Sequence, residues 1–271
     1  MLELPDVTLC CVDTRSVPQA LYAMQRCMSV ARFGRAIYLG PSPANLGITP
    51  PADLEWVTIP ALNGIEDYNR LMLHGLTQYI TTSHVLIVQW DGFITHPALW
   101  QPDFLAYDYI GAPWYHGGHP GYVGNGGFSL RSKKLLNALE QISPDSTQPE
   151  DHEICVNRRS ELERNHGIRF APLSVAQGFS CEYGGYRQSF GFHGMQNFAH
   201  VMRPDELLSW MATVPPDILA HRHTRKLIKE LMTSQRTSEA WRLLLSRAES
   251  MGWSFDHAVL GARIGFHHVV A

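Results

Sequence analysis

The stretch HVLIVQWDGF, residues 84–93, decides the fold. Val85, Leu86, Ile87 and Val88 are four branched or aliphatic side chains in a row, without polar alternation. Such a run predicts a strand buried on both faces, as a parallel sheet covered by helices on each side requires. It stops at Gln89-Trp90-Asp91-Gly92, where an acid and a glycine replace the hydrocarbon. Ligands of open α/β sheets bind beyond the carboxyl ends of the strands, which makes Asp91 the first candidate site residue. An aspartate in that position also serves simply to cap a turn.

Upstream, Val7–Val12 (VTLCCV) reads as a first apolar strand that stops at Asp13-Thr14-Arg15. Residues 18–30 have helical spacing, with Ser16 as the cap and Pro18 in the first turn. Short strands follow at 36–39 and 56–59. Between 65 and 80, Tyr68, Leu71, Met72, Leu76, Tyr79 and Ile80 recur at roughly the helical period. Strand, helix, strand, strand, helix, strand is α/β grammar.

Downstream the composition changes. Residues 93–128 are rich in Gly, Pro, Trp and Tyr. Core packing accounts for most of these aromatics, and only Trp114 is singled out as a sugar-stacking ring. Gly124-Asn125-Gly126-Gly127 forms a glycine-rich turn entering a strand and then a helix from 133 to 141. The spacing matches neither a Walker loop nor a dinucleotide fingerprint, so it serves equally as a structural turn or a binding loop. Pro149-Glu150-Asp151 opens a helix running to about His166, and acids in a first turn are favourable on electrostatic grounds alone. A short strand is expected within 172–182. His193 is bracketed by glycines in SFGFHG, residues 189–194, and in a chain with 14 histidines a lone one is more often structural than a ligand. From Asp205 onward the pattern is helical, with Pro204 and Pro215-Pro216 as punctuation, and predicts three or four helices.

With 45% hydrophobic and 17% charged residues, a 271-residue chain can bury a sizeable core. The formal charge of −3, from 22 basic and 25 acidic residues, argues against nucleic acid as a partner. The one cationic run, His221-Arg222-His223-Thr224-Arg225-Lys226, falls in a predicted helix, where a solvated face accounts for it. The five cysteines, Cys10, Cys11, Cys27, Cys155 and Cys181, fit neither a zinc spacing nor a disulfide framework, so reduced thiols are expected. MLELPDV lacks the pattern of a signal peptide, and no apolar run approaches the length of a membrane span. A soluble cytoplasmic protein is the expectation.

The order of these motifs is more informative than any one of them. A strand-end acid (Gln89-Trp90-Asp91) precedes the glycine loop, then the acidic pair Glu150-Asp151, then His193. In that order the chain resembles glycosyltransferases of the GT-A fold, whose hallmarks are an Asp-x-Asp element, a glycine loop, a Glu-Asp pair and a C-terminal histidine. LIVQWDGF, YDYIGAPW, VGNGGFSLRS, PED and SFGFHGMQNF are also similar to an uncharacterised family of bacterial and fungal glycosyltransferases. The resemblance covers roughly residues 5–200 and leaves the helical tail out. It implies an α/β, GT-A-like (Rossmann-like), mostly parallel sheet flanked by helices, with a C-terminal helical appendage. The domains are then a nucleotide-sugar-binding catalytic domain over 1–203 and a helical extension over 204–271.

The activity implied is transfer of a sugar from a nucleotide-diphosphate sugar, a UDP- or GDP-sugar, to the hydroxyl of a glycan or other acceptor. The departing diphosphate calls for a hard divalent cation, Mn2+ or Mg2+, and Asp91 and His193 take the ligand positions. Asp151 takes the part of general base, with Glu150 as orienter or acceptor contact, and one base with in-line displacement implies inversion. Asp13, Thr14, Arg15, Tyr68, Asn69, Gln89, Trp90 and Asp91 are the donor-binding candidates. Trp114, Gly124, Asn125, Gly126 and Gly127 are the candidates for the sugar or acceptor. One residue departs from the pattern: Gln89 stands where the family has its first Asp. Glutamine hydrogen-bonds a ribose hydroxyl but ligates metal poorly, which implies a weak cation site without donor, or a dispensable metal. Two other classes compete. A nucleotidyltransferase is disfavoured because no basic, glycine-rich loop follows the first strand. A non-catalytic glycan- or nucleotide-binding module would use its tail to recruit a partner or a second copy. Neither HExxH nor GxSxG occurs.

Overall fold

The computed structural model describes residues 1–114, 122–142 and 148–270, so part of the aromatic loop, 115–121, lies outside the described residues. The chain divides into two compact units, Met1–His193 and the residues from Gly194 onward. That division falls earlier than 203/204, because Met195, Phe198 and Met202 are buried among the C-terminal helices. Phe198 packs edge-on against Trp210, and Arg236 donates to the carbonyls of Ala199 and Met202.

In the first unit the chain runs β1 (Leu2–Val12), α1 (Val17–Val30), β2 (Ala31–Gly40), a single-turn α2 (Pro43–Leu46), β3 (Glu55–Thr58) and α3 (Ile65–His74). It continues with β4 (His84–Val88), β5 (Tyr109–Ile110), β6 (Phe128–Ser132), α4 (Lys133–Leu139), α5 (Glu150–His152), α6 (Arg159–His166) and α7 (Leu173–Phe179), and closes with β7 (Ser180–Cys181) and β8 (Gly191–Phe192). The six-stranded sheet has the order β3-β2-β1-β4-β6-β5. β1, β2, β3 and β4 run parallel, and only β6 runs against its neighbours. This is an α/β arrangement around a mostly parallel sheet. All five residues of β4 are buried, as its unbroken apolar run requires. On one face Cys10, Val12, Ile37, Leu39, Val85 and Ile87 pack with Met72 and Leu76 and with Leu136 of α4.

Several elements differ from the sequence reading. β1 and β2 begin earlier, because their first halves carry Glu3, Asp6, Arg32 and Arg35 and do not look like buried strand. Ser16 precedes α1 without a capping bond from its hydroxyl; its carbonyl accepts the Ala20 N–H instead. The helix expected over 65–80 ends at His74 and resumes as a 3₁₀ turn at Leu76–Tyr79, broken by Gly75. The helix expected over 149–166 is interrupted by a π turn at Glu153–Asn157. Most of 172–182 is α7, and only Ser180–Cys181 is strand.

The second unit contains α8 (Phe198–Val201), α9 (Pro204–Met211), α10 (Pro216–Ala220), α11 (Arg222–Thr233), α12 (Thr237–Met251) and α13 (Phe255–Val270). Pro204 and Pro216 start helices, so they add short elements to the three or four that periodicity predicts. No helix among the described residues is long and apolar enough to cross a membrane.

Candidate functional site

Two long-range pairings carry the candidate residues to the carboxyl end of β4. Val88 is paired antiparallel with Phe128, and the Gln89 N–H donates to Gly127 O at 2.9 Å, which seats the glycine loop against Gln89-Trp90-Asp91. From the other side, Ile94 bridges Gly191, the Thr95 N–H donates to Phe190 O at 3.0 Å, and the His193 N–H donates to Cys181 O at 2.9 Å. Phe93, Phe128, Phe179, Phe190 and Phe192 are buried at this seam, Phe93 meeting Phe192 edge-on and Phe179 packing at a tilt against Phe128 and Phe190.

The imidazole of His193 is the hub. Its Nε2 lies 3.1 Å from Asp91 Oδ1 and 3.2 Å from Gln89 Oε1. Its Nδ1 lies 2.9 Å from Asn125 Nδ2 and 3.4 Å from Glu182 Oε1. Burial disfavours the imidazolium, but Asp91 and Glu182 together outweigh it and hold the His193 pKa well above its ordinary value. Gln89 is anchored in turn, donating to Tyr68 Oη at 2.8 Å.

The glycine loop is built around Asn125, whose φ of 65° is left-handed. Asparagine tolerates this region, and its Oδ1 accepts the N–H groups of Gly127 and Phe128 at 3.1 and 3.2 Å. A methyl at Gly127 would overlap His193 Nε2, and one at Gly126 would overlap Glu150 Oε1. Glycine is needed here for close approach of backbone to side chain. Gly127→Ala is therefore expected to swing the His193 ring away from Asp91. An NMR titration should then show the imidazole falling from its raised value toward about 6.5.

The acidic pair meets the same loop. The Gly126 N–H donates to Asp151 Oδ2 at 3.0 Å. Glu150 is buried and pairs with the fully buried Arg131, Nη2 to Oε1 2.9 Å. Burial pushes the Glu150 carboxyl up, and the guanidinium opposes that rise. Arg131 Nη2 also donates to Gly126 O at 3.3 Å, so the loop's amide and carbonyl are both tied to the acidic segment or its partner. The Glu150 N–H donates to Asn69 Oδ1 at 3.1 Å, which joins α3 to the assembly.

Gln89, Asp91, Asn125, Gly126, Gly127, Glu150, Asp151 and His193 are thus brought together, with Tyr68 and Asn69 behind them. Asp13 lies close enough for the Asp91 charge to add to its raised pKa; burial is the larger cause, opposed by the Ser16 and Arg15 N–H groups on its Oδ1. Thr14 instead accepts the Leu62 N–H at 3.2 Å, and Arg15 is exposed. Trp90 is half-buried. Trp114 stacks on His152 with centroids 6.3 Å apart, and a methyl at Gly124 would strike its ring, so Gly124 makes room for the indole. Arg131 and Glu182 were not singled out by sequence. A charged residue inside GNGGFSLRS, where a strand is expected, is a signal for Arg131. Glu182 carried none.

The donor set suits a hard cation in part. Asp91 and His193 offer oxygen and imidazole on one contact, with Gln89 Oε1 beside them. Among the described residues no group of three His, Cys, Asp or Glu side chains is arranged to hold a metal ion.

No curated protein matches the chain by sequence. Among solved structures, it is similar to the mannosyltransferase PcManGT from Pyrobaculum calidifontis in complex with GDP-Man and Mn2+, at 11% identity and a TM-score of 0.40, over 99% of this chain and 82% of that one. The apo-form glycosyltransferase GlyE of Streptococcus pneumoniae TIGR4 aligns at 9% identity and a TM-score of 0.44, over 85% and 64%. The bifunctional IspDF of Campylobacter jejuni aligns at 11% identity and a TM-score of 0.41, over 61% of this chain and about half of that one, 48%. The family model described as "Protein of unknown function (DUF5672)" matches residues 53–193, from the strand before α3 through the acidic pair to the histidine. Since that match spans more than half of the 271 residues, the chain belongs to the DUF5672 family.

Proposed function

We propose that the protein is a nucleotide-sugar-dependent glycosyltransferase that inverts the anomeric carbon. The observation that carries this reading is one loop with two kinds of neighbour. Asn125 and Gly127 abut the Asp91–His193 pair, while Gly126 holds Asp151. An anion-neutralising group and a base beside the same short backbone segment suit displacement of a diphosphate by a hydroxyl. Asp151 accepts the acceptor's proton as its oxygen forms the new bond to the anomeric carbon. The bond from that carbon to the donor phosphate breaks, and the nucleoside diphosphate departs with the electron pair. Gln89 suits a ribose hydroxyl, and Gly126 and Gly127 admit the sugar next to the backbone.

Asp91 and His193 would hold a divalent cation shared with the donor phosphates, which would neutralise charge on the leaving group. Imidazole ligates only when neutral, so loading would release the His193 proton and strengthen as pH rises. The test is a thermal-shift panel of nucleotide diphosphates and nucleotide sugars, with and without manganese. At a hundredfold excess over Kd, a bound donor stabilises by about 2.7 kcal/mol. At least one nucleotide sugar is expected to stabilise the chain, and Asp91→Ala to remove the manganese-dependent part of its shift. A panel with no response, or products showing nucleotidyl rather than sugar transfer, would sink the reading.

A further inference from the structure

The proposed sugar transfer assigns no role to the cationic run in the tail, and the helical unit gives it a setting. Arg222, Arg225, Lys226 and Lys229 recur along α11 at the i, i+3, i+4, i+7 spacing that gathers side chains on one face. Thr224, Leu227, Ile228, Leu231 and Met232 are buried on the other. Arg222 and Lys229 are exposed. Two contacts seat the turn between α12 and α13 beside the start of this helix. Arg225 Nη2 lies 2.8 Å from Asp256 Oδ1, and Arg247 Nη1 donates to His221 O at 3.2 Å. That turn is apolar and points outward: Met251 is 49% exposed, Trp253 66% and Phe255 84%. Trp253 meets His257 at 6.1 Å in a T-shaped contact, so the indole has a neighbour within the unit while most of its surface stays exposed.

We propose that this end of the helical unit docks on an anionic lipid bilayer. Trp253 and Phe255 enter the boundary between headgroups and acyl chains, and Arg222 and Lys229 face the lipid phosphates. Trp is the side chain best suited to that boundary, and a basic helix face beside apolar side chains is the mark of a segment lying on a membrane. Electrostatic attraction to anionic lipid and burial of the exposed turn add to one another. Other occupants fit less well. Single-stranded nucleic acid stacks its bases on aromatics set along a basic groove, whereas here the rings lie at the end of the basic stripe, next to a methionine. A second copy meeting at the turn would bring the same basic stripe toward itself. The inference stands or falls independently of sugar transfer.

Co-sedimentation of the full chain with vesicles tests it, using phosphatidylcholine alone and phosphatidylcholine mixed with phosphatidylserine. The chain is expected to pellet with the mixed vesicles, weakly with phosphatidylcholine, and to be released by added salt. Trp253→Ser with Phe255→Ser, and separately Arg222→Glu with Lys229→Glu, should each lower partitioning about tenfold or more. These positions are exposed, and unchanged unfolding midpoints confirm that the variants fold. Failure to pellet with mixed vesicles overturns the proposal, as does undiminished binding by either double variant. Self-association through the turn, or capture of a single-stranded RNA probe, in place of vesicle binding overturns it equally.

Discussion

Asp151→Asn is expected to lower sugar transfer by about 10²–10⁴-fold, the range that a positioned general base contributes. In barrier terms this is roughly 3–5 kcal/mol. The substitution is chosen because it separates base from scaffold. Asp151 Oδ2 accepts the Gly126 N–H at 3.0 Å and its Oδ1 accepts the His152 N–H at 2.8 Å. Asparagine keeps one carbonyl oxygen for the loop amide while losing the carboxylate that takes the proton. Asp151→Ala loses both, so it should also loosen the glycine loop and weaken donor binding. The expected pattern is therefore kcat down with donor-induced thermal shift retained for Asn, and both reduced for Ala. Full turnover by Asp151→Asn would remove Asp151 from the mechanism, whatever the fate of the donor site.

Residues whose fate is decided locally could be read from the chain. β4 announces itself because burial on both faces leaves no room for a polar residue among Val85–Val88, and the acid after it marks the open end of the sheet. The glycines at 126 and 127 are legible as close-approach positions, although the groups that approach, Glu150 and His193, are not. What stayed hidden is set by tertiary register. β6 reverses direction against β4, and that reversal brings Gly127 O to the Gln89 amide. Nothing in FSLRS specifies which way its strand runs. Likewise the halves of β1 and β2 that carry Glu3, Asp6, Arg32 and Arg35 break the apolar-run signal, yet they pair in parallel from Leu2↔Ala31 to Leu4↔Phe33 and, after a register shift, again from Thr8↔Arg35. Glu182 reaches His193 only because β7 and β8 lie side by side, a pairing of two residues each that no periodicity can reveal.

Arg131 shows how much rests on such a hidden contact. Its guanidinium is fully buried, donating to Glu150, to Gly126 O and, through Nε, to Ser129 Oγ at 3.0 Å, while its Cζ lies 5.4 Å from the centre of the Tyr109 ring. Burial disfavours the charged guanidinium, but the Glu150 carboxylate outweighs it and keeps Arg131 charged. Arg131→Met should therefore cost about 3–5 kcal/mol, since it leaves a buried carboxylate without its cation. The double variant Arg131→Met with Glu150→Gln should recover much of that loss, because no lone charge remains in the interior. Denaturant unfolding of the four species gives the coupling directly. pH supplies an independent check. In Arg131→Met the isolated Glu150 has a folded pKa raised above its unfolded value of about 4.3, so the folded state binds the extra proton. Stability is then greatest below the unfolded value and is lost as pH rises through the folded one, so the deficit of the single variant should shrink on acidification. A deficit independent of pH, or a double variant no more stable than the single, would show that Arg131 contributes packing alone. Because Gly126 O and Glu150 share this guanidinium, the same loss of order should reach the neighbouring Asp151, joining the stability of the fold to the geometry of the proposed base.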